Sequence, residues 1–305
     1  MLPNLSHYPV MVNEVVSLLN PKDNYTYLDG TFGQGGYSKL ILESSKTRIL
    51  AIDRDKESEY YAEEVRKKYG SRFLFLKDKL SNLELLLKKT KINSLDGIVL
   101  DLGISNTQLN NPQRGFSFTN DGPLDMRMDS ENTKLTAEII INEFEEKELS
   151  NIFFYYGEER NSKKIAKSII TYRKKKRIDS TKVLSDIISK INNSRFKHPA
   201  TRVFQALRIY INEELNELEK ILELSLKFLR TKSRIVIVTF HSLEDRIVKN
   251  FFKKNSILSS SSVTDKSIVN CNLKIITKKP LTPSKEEVKI NPRSKSAKLR
   301  VAEKR

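Results

Sequence analysis

The chain has 305 residues, 38% of them hydrophobic, with one cysteine and a formal net charge of +17. That length allows one large domain or two, while a lone cysteine (Cys271) excludes an internal disulfide and, with only three scattered histidines, leaves no metal-ligand spacing. No run approaches the length of a membrane span, and the start MLPNLSHYPV lacks the basic and apolar regions of a secretory signal, so the expectation is a cytoplasmic protein off the membrane.

The charge is segregated. Arg160–Arg208 holds 15 Lys/Arg against Asp179 and Asp186, and Lys278–Arg305 holds ten against three acids. A general bias toward lysine would spread charge evenly, so two basic segments on a near-neutral body point to a polyanion.

In chain order, a lead-in helix over Asn13–Leu19 is stopped by Pro21. The stretch YTYLDGTFGQGG (Tyr25–Gly36) then reads as a strand, an acid and a glycine cluster, followed by an apolar helical run, Tyr37–Leu42. Four of the ten glycines (Gly30, Gly33, Gly35 and Gly36) fall here and none follows Gly157, which marks a backbone with positive φ or close approach to a ligand. Strand RILAIDRD (Arg48–Asp55), ending in acids, a helix over about Ser58–Tyr69, strand FLFLKDKL (Phe73–Leu80), a helix around Asn82–Lys89 and strand GIVLDLG (Gly97–Gly103), with the acid Asp101 at its end, follow. Strands separated by such helices imply βαβ units and a parallel sheet. The alternation stops from about Ile104 to Lys197: a polar, turn-rich loop (Asn110–Asp129) gives way to helical patterns from Thr136, with the basic Arg160–Arg177 helix among them. One long amphipathic helix is expected over Thr201–Leu229, then strand RIVIVTF (Arg234–Phe240). Ser259–Ser262 reads as a loop tip, and Leu273–Thr277 with Lys298–Ala302 as an antiparallel closing hairpin.

Asp29, Asp53 and Asp101 each end a predicted strand, where doubly wound sheets bind ligands. Asp53 lies 20 residues past Gly33, the separation of a ribose-binding acid. These features suit a nicotinamide dinucleotide or S-adenosylmethionine. The spacing G-x-x-G-x-G-G is not that of dinucleotide binders and no second nucleotide-binding half is visible, so the methyl donor is the better reading.

The segments HYPVMVNEV (His7–Val15), LDGTFGQGGYS (Leu28–Ser38), AIDRD (Ala51–Asp55), LDLGIS (Leu100–Ser105), GPLDMRMD (Gly122–Asp129), FKHPATRVFQALRI (Phe196–Ile209) and FHSLEDRIVK (Phe240–Lys249) carry a specific resemblance. In this order, over nearly the whole chain, they resemble the RsmH/MraW family, bacterial methyltransferases acting on the exocyclic N4 of a cytosine in 16S ribosomal RNA, in the decoding region of the small ribosomal subunit. The resemblance implies an α/β, Rossmann-like class I S-adenosylmethionine-dependent methyltransferase core over 1–104 and 201–305, with an inserted all-helical RNA-recognition domain over 105–200. It implies donor contacts at Gly33, Gly35, Gly36, Tyr37, Asp53, Leu80, Asp101 and Gln108. The family usually has His at the position of Tyr37, Phe at that of Leu80, and Ser-Pro where Asn106-Thr107 stand.

Asp101 is the first catalytic candidate: it either accepts from the substrate amine or only holds the donor. His241, at the end of a strand, is a candidate substrate contact or proton acceptor. Glu244 and Arg246 follow it toward the same cleft, and Asp125 and Arg127 gate the cleft or grip the nucleotide. Lys197, His198 and Arg202 complete the RNA candidates, His198 also ordering the turn before its helix. An NAD(P)-dependent oxidoreductase would instead retain NAD(H). A non-catalytic ribosomal RNA-binding assembly factor with a vestigial donor pocket would bind RNA and no donor. Whether the chain forms a homodimer is not inferable from the sequence.

Overall fold

The computed structural model describes residues 9–192, 198–256 and 272–305; Lys197, Ser259–Ser262 and Cys271 lie outside the described residues. The chain runs α1 (Val12–Leu19), β1 (Thr26–Asp29), α2 (Gly36–Ser44), β2 (Arg48–Asp53), α3 (Glu57–Tyr69), β3 (Phe73–Lys77), α4 (Leu83–Thr90) and β4 (Leu95–Asp101). Six helices follow: α5 (Asn106–Asn110), α6 (Ala137–Glu143), α7 (Glu146–Gly157), α8 (Ser162–Arg173), α9 (Thr181–Ser189) and α10 (Thr201–Asn212). Then come α11 (Glu214–Phe228), β5 (Leu229–Thr239), α12 (Ser242–Lys254), β6 (Leu273–Ile275), α13 (Lys285–Ile290) and β7 (Lys298–Lys304). Among the described residues no helix is long and apolar enough to cross a membrane.

Two units emerge, Met1–Gly103 with Leu215–Arg305, and Ile104–Glu214. The first is built on a seven-stranded sheet in the order β3-β2-β1-β4-β5-β7-β6. Pairs among β1 to β5 are parallel, and β7 runs antiparallel to both its neighbours. Because side chains alternate across a strand, apolar runs serve two cores at once. Ile49, Ala51, Val99, Val236 and Val238 face one core with α1, α2 and α3 residues such as Val15, Ile41 and Val65. Leu50, Ile52, Ile98, Leu100, Ile235 and Ile237 face the other with Leu83, Leu87, Leu218, Leu222 and Val248 of α4, α11 and α12. Helices on both faces of a mostly parallel sheet with β7 inserted antiparallel make the class I methyltransferase arrangement expected above. Register sets Asp29 beside Ala51 and Val99, and Asp101 beside Val238, so the strand-end acids share one edge of the sheet.

The second unit holds α5 to α10. Its core joins Leu149, Ile152 and Phe153 of α7, Ile165, Ala166 and Ile169 of α8, Leu184 and Ile188 of α9, and Val203, Phe204 and Leu207 of α10. Thr136 and Ser180 start α6 and α9 by accepting the backbone N–H of Ile139 and Val183, each satisfying one orphan donor of a helix start. Gly157 lets α7 approach α10 closely: a Cβ there would stand 2.5 Å from the Arg202 carbonyl oxygen. Among the described residues the unit has no strand, only an isolated bridge between Pro123 and Ser180.

Two elements depart from their expected form. The helix expected over Thr201–Leu229 is two helices, broken at Glu213, which sits in the left-handed region (φ 52°, ψ 32°). The unit boundary falls at the same break, so α10 belongs with the helical unit, whereas the sequence reading placed it with the sheet. Beside this break lies Asn212, the last residue of α10, whose buried side chain bonds sideways to the backbone of Met126 and Met128. The other departure is β5, which begins five residues before Arg234 because its register to β4 shifts between Leu95 and Gly97.

Candidate functional site

β1 ends at Asp29, and the chain then turns through Gly30–Gly35 into α2. Gly35, the N-cap of α2, has φ +77°, and a Cβ there would lie 2.7 Å from the Phe32 ring; both facts require glycine. Gly33 also has positive φ (+53°), yet a Cβ there would meet nothing nearer than 4.0 Å. The turn is therefore packed from beneath and open at Gly33.

Asp53, at the end of β2, holds this turn from the side. Its Oδ2 accepts from the Gly33 N–H at 2.7 Å and its Oδ1 from the Asp55 N–H at 2.9 Å. Burial, opposed by these bonds, pushes its carboxyl above the ordinary value. Leu80 packs over Gly30, where a Cβ would stand 2.8 Å from Leu80 Cδ2. Tyr37 is buried in the core, and its hydroxyl donates to the Val10 carbonyl. Pro9 covers Gly36, where a Cβ would lie 2.3 Å from the Pro9 ring. Part of the glycine cluster thus serves internal packing, and Gly33 is the position left facing open space.

Asp101 ends β4. Its backbone N–H donates to Thr31 Oγ1 at 2.6 Å, tying β4 to the turn after β1. Its Oδ1 is buried and has no hydrogen-bond partner among the described residues. Burial, then the charges of Asp29, Glu244 and Glu287, push the carboxyl well above the ordinary carboxylate range. His241 follows β5 and caps α12. Its Nδ1 accepts from the Glu244 N–H, while Glu244 Oε2 accepts from the Phe240 N–H (2.8 Å) and the His241 N–H (3.3 Å). His241 Nε2 lies 3.0 Å from Glu244 Oε1. Glu244 is buried and oriented inward by this capping box, where it holds the imidazole while its charge acts on Asp101. Arg246 stands two residues after Glu244 on α12.

The sheet unit therefore brings Gly33, Gly35, Gly36, Tyr37, Asp53, Leu80, Asp101, His241 and Glu244 to one edge. Gln108, Asp125, Arg127, His198 and Arg202 belong to the helical unit. There Gln108 closes a capping box with Ser105 at the start of α5. Arg127 donates from Nε to Asp125 Oδ1 (2.8 Å) and from Nη2 to Asp125 Oδ2 (2.6 Å), a bidentate pair that folds the polar loop on itself. His198 stacks on Phe118 (centroids 4.5 Å apart, 16° between planes) and accepts the Ala200 N–H, while Arg202 is exposed on α10.

Sequence reasoning had marked Asp29 only as a strand-end acid, and it missed Thr31, Ser38 and Glu287. Asp29 is buried and accepts from Ser38 Oγ at 2.6 Å and from the Thr31 N–H at 3.4 Å. Glu287, from α13, accepts the Met11 N–H at 2.8 Å across 276 residues, a contact with no local sequence signal.

Burial raises the Asp29 carboxyl from 3.8 to about 6. A raised folded-state value means that the folded chain holds this proton more tightly than the unfolded chain. Its stabilising effect is complete below pH 3.8 and is lost as pH rises through about 6. A rise of that size corresponds to about 3 kcal/mol. Asp29→Asn, which cannot ionise, is expected to gain about that much in unfolding free energy relative to the parent between pH 4 and pH 7. Denaturant titrations across that range measure it, and a pH-independent difference would contradict the assignment.

The curated relatives of the chain share one name. Proteins named Ribosomal RNA small subunit methyltransferase H from Rickettsia massiliae and Rickettsia conorii are each 50% identical over 304 residues, covering 97% of both chains. That of Rickettsia felis is 50% identical over 306 residues, covering 98% of both. Among solved structures, a putative methyltransferase from Streptococcus mutans in complex with SAH is 10% identical with a TM-score of 0.44, covering 98% of this chain and 99% of that one, a likeness too low to inform the site. The sequence profile of the MraW methylase family matches residues 4–305, and with half-identical relatives along its whole length the chain belongs to that family of S-adenosylmethionine-dependent methyltransferases.

Proposed function

We propose that the protein methylates the exocyclic N4 of a cytosine in the 16S RNA of the small ribosomal subunit, in its decoding region. The name borne by the half-identical relatives supports small-subunit ribosomal RNA as the substrate. The observation that carries the chemistry is the buried, unpartnered Oδ1 of Asp101 at the edge where the glycine turn opens.

The residues present fit a cationic donor. Gly33 faces open space, and the charges that act on Asp101 are those of Asp29, Glu244 and Glu287. S-adenosylmethionine, when bound, supplies an electrophilic methyl group on a positively charged sulfur. Gly33, Gly35, Gly36, Tyr37, Asp53 and Leu80 would hold it. Asp53 acts by fixing the Gly33 backbone as well as by offering a carboxylate.

A cytosine amine is a poor nucleophile because its lone pair is delocalised into the ring. Asp101, pushed toward its neutral form by burial and acidic neighbours, returns to its ionised form when positive charge enters beside it. Ionised, its free oxygen accepts an amino hydrogen, orients the lone pair and takes up the positive charge that develops on nitrogen. His241, whose Nδ1 accepts the Glu244 N–H and whose Nε2 faces Glu244 Oε1, would have to release its Nδ1 contact to serve as a second acceptor for that proton.

The helical unit supplies phosphate contacts. Lys163, Lys164 and Lys167 line the solvent face of α8, whose other face is buried, and Lys174, Lys175, Lys176, Lys182 and Lys190 are exposed beyond it. With Lys197, His198 and Arg202 these would position RNA rather than read its sequence. Recognition then rests on RNA shape and an unstacked base.

Labelled S-adenosylmethionine incubated with small subunits that lack the modification should give label as N4-methylated cytidine on nucleoside analysis. Label in another nucleoside overturns the specificity. No label together with no donor binding favours a non-catalytic assembly factor.

A further inference from the structure

We propose that the exposed cations of residues 274–295 form an RNA-backbone surface on the donor-binding unit itself, gripping phosphates beside the nucleotide being modified. The proposal rests on the small-subunit RNA reading above.

Lys274, Lys278, Lys279, Lys285, Lys289 and Lys295 are all exposed, and none is engaged in an ion pair among the described residues. Several lysines elsewhere on this unit are paired instead. Lys68 pairs with Glu43, Lys88 and Lys227 share Glu84, and Lys298 meets Asp245. Glu287, in the middle of the basic stretch, is turned to the Met11 N–H, so its charge is partly drawn away from the surface. What remains outward is chiefly positive.

The stretch is also fixed in place. Ser284 caps α13 by accepting the Glu287 N–H, Leu281 bridges to Leu299 of β7, and Ser294 is buried. A surface that is already ordered loses little entropy on binding.

Three contacts then tie it to the donor turn. Glu287 accepts from Met11, the neighbouring Val10 carbonyl accepts from the Tyr37 hydroxyl, and Pro9 lies on Gly36. α13 and the N-terminus of α2 are thus joined through residues 9–11. A nucleotide brought to the glycine turn carries a phosphate on each side, and lysine suits such contacts as a flexible point charge.

The test compares two triple variants of the full chain with equal change in net charge. One is Lys279→Glu/Lys285→Glu/Lys289→Glu. The other, Lys67→Glu/Lys89→Glu/Lys220→Glu, alters exposed lysines of α3, α4 and α11. Binding of small-subunit RNA is measured across a salt series, and S-adenosylhomocysteine binding by calorimetry. The first triple is expected to lose about tenfold or more in RNA affinity and to flatten the log–log salt slope by about 2, near 0.7 for each single-strand phosphate contact. Its S-adenosylhomocysteine affinity stays within about twofold of the parent. The second triple should change RNA affinity less than about threefold. Equal losses in both triples, or an unchanged slope in the first, overturn the proposal while parental RNA binding keeps the substrate reading. A parent chain that binds no small-subunit RNA overturns both. Should the first triple lose S-adenosylhomocysteine binding, the neutral Lys279→Gln/Lys285→Gln/Lys289→Gln decides: an unchanged salt slope there rejects the surface.

Discussion

Asp101→Asn is expected to lower kcat for methyl transfer by about 10²- to 10⁴-fold, the range for loss of a positioned proton acceptor. In barrier terms this is about 3–5 kcal/mol. Asparagine keeps the shape of the side chain and leaves the Asp101 N–H bond to Thr31 untouched, so the fold should not suffer. Because the Asp101 carboxyl is raised, the parent enzyme should gain activity with rising pH across a range above that of an ordinary carboxylate, as the acceptor ionises. That limb should vanish in the variant. Affinity for the uncharged thioether product, S-adenosylhomocysteine, should change less than about tenfold, since the lost charge matters most for a cation. A variant within about fivefold of the parent, with the same pH profile, would transfer the acceptor role to His241 or to a backbone carbonyl.

Asn212→Ala is expected to cost the helical unit about 3 kcal/mol. Asn212 is buried, donates from Nδ2 to the Met126 and Arg208 carbonyls at 2.8 Å each, and accepts the Met128 N–H at 2.7 Å. Truncation leaves the Met128 N–H and the Met126 carbonyl without this partner, at about 1–3 kcal/mol for each buried group. Met126 is itself buried with φ +61°, a conformation that a methionine adopts only where its surroundings enforce it. Hydrogen exchange at the Met128 amide should accelerate ahead of the α7 and α8 amides. A loss below about 1 kcal/mol would mean that the loop holds itself through the Asp125–Arg127 pair alone.

The parts of the fold that were legible in the sequence are those written in local periodicity. The runs RILAID, GIVLD and RIVIVTF are apolar on both faces because the sheet is covered on both, and the terminal acids of the first two mark the end where doubly wound sheets bind ligands. The break at Glu213 was not legible: the apolar repeat runs straight through it, with neither glycine nor proline to interrupt. Asn212 beside it is bonded to residues more than 80 positions away. The Glu287–Met11 bond was hidden for the same reason, since nothing in a short acidic helix announces a partner near the start of the chain. Asp53 was found for its position, yet its hydrogen bond to Gly33 emerges only when β1 and β2 are set side by side.

The sheet order also bears on how copies of the chain avoid one another. β5 with 11 residues and β7 with seven are the two longest strands alongside β4, and all three lie inside the sheet. The edges fall to β3 with five residues and β6 with three. An exposed strand edge is a template for joining another chain, and a long, apolar one invites fibrils. Had the sheet stopped at β5, its apolar Ile235–Val238 run would have formed that edge. By turning β7 back between β5 and β6, the fold buries its stickiest backbone and, among the described residues, leaves the edges to shorter strands.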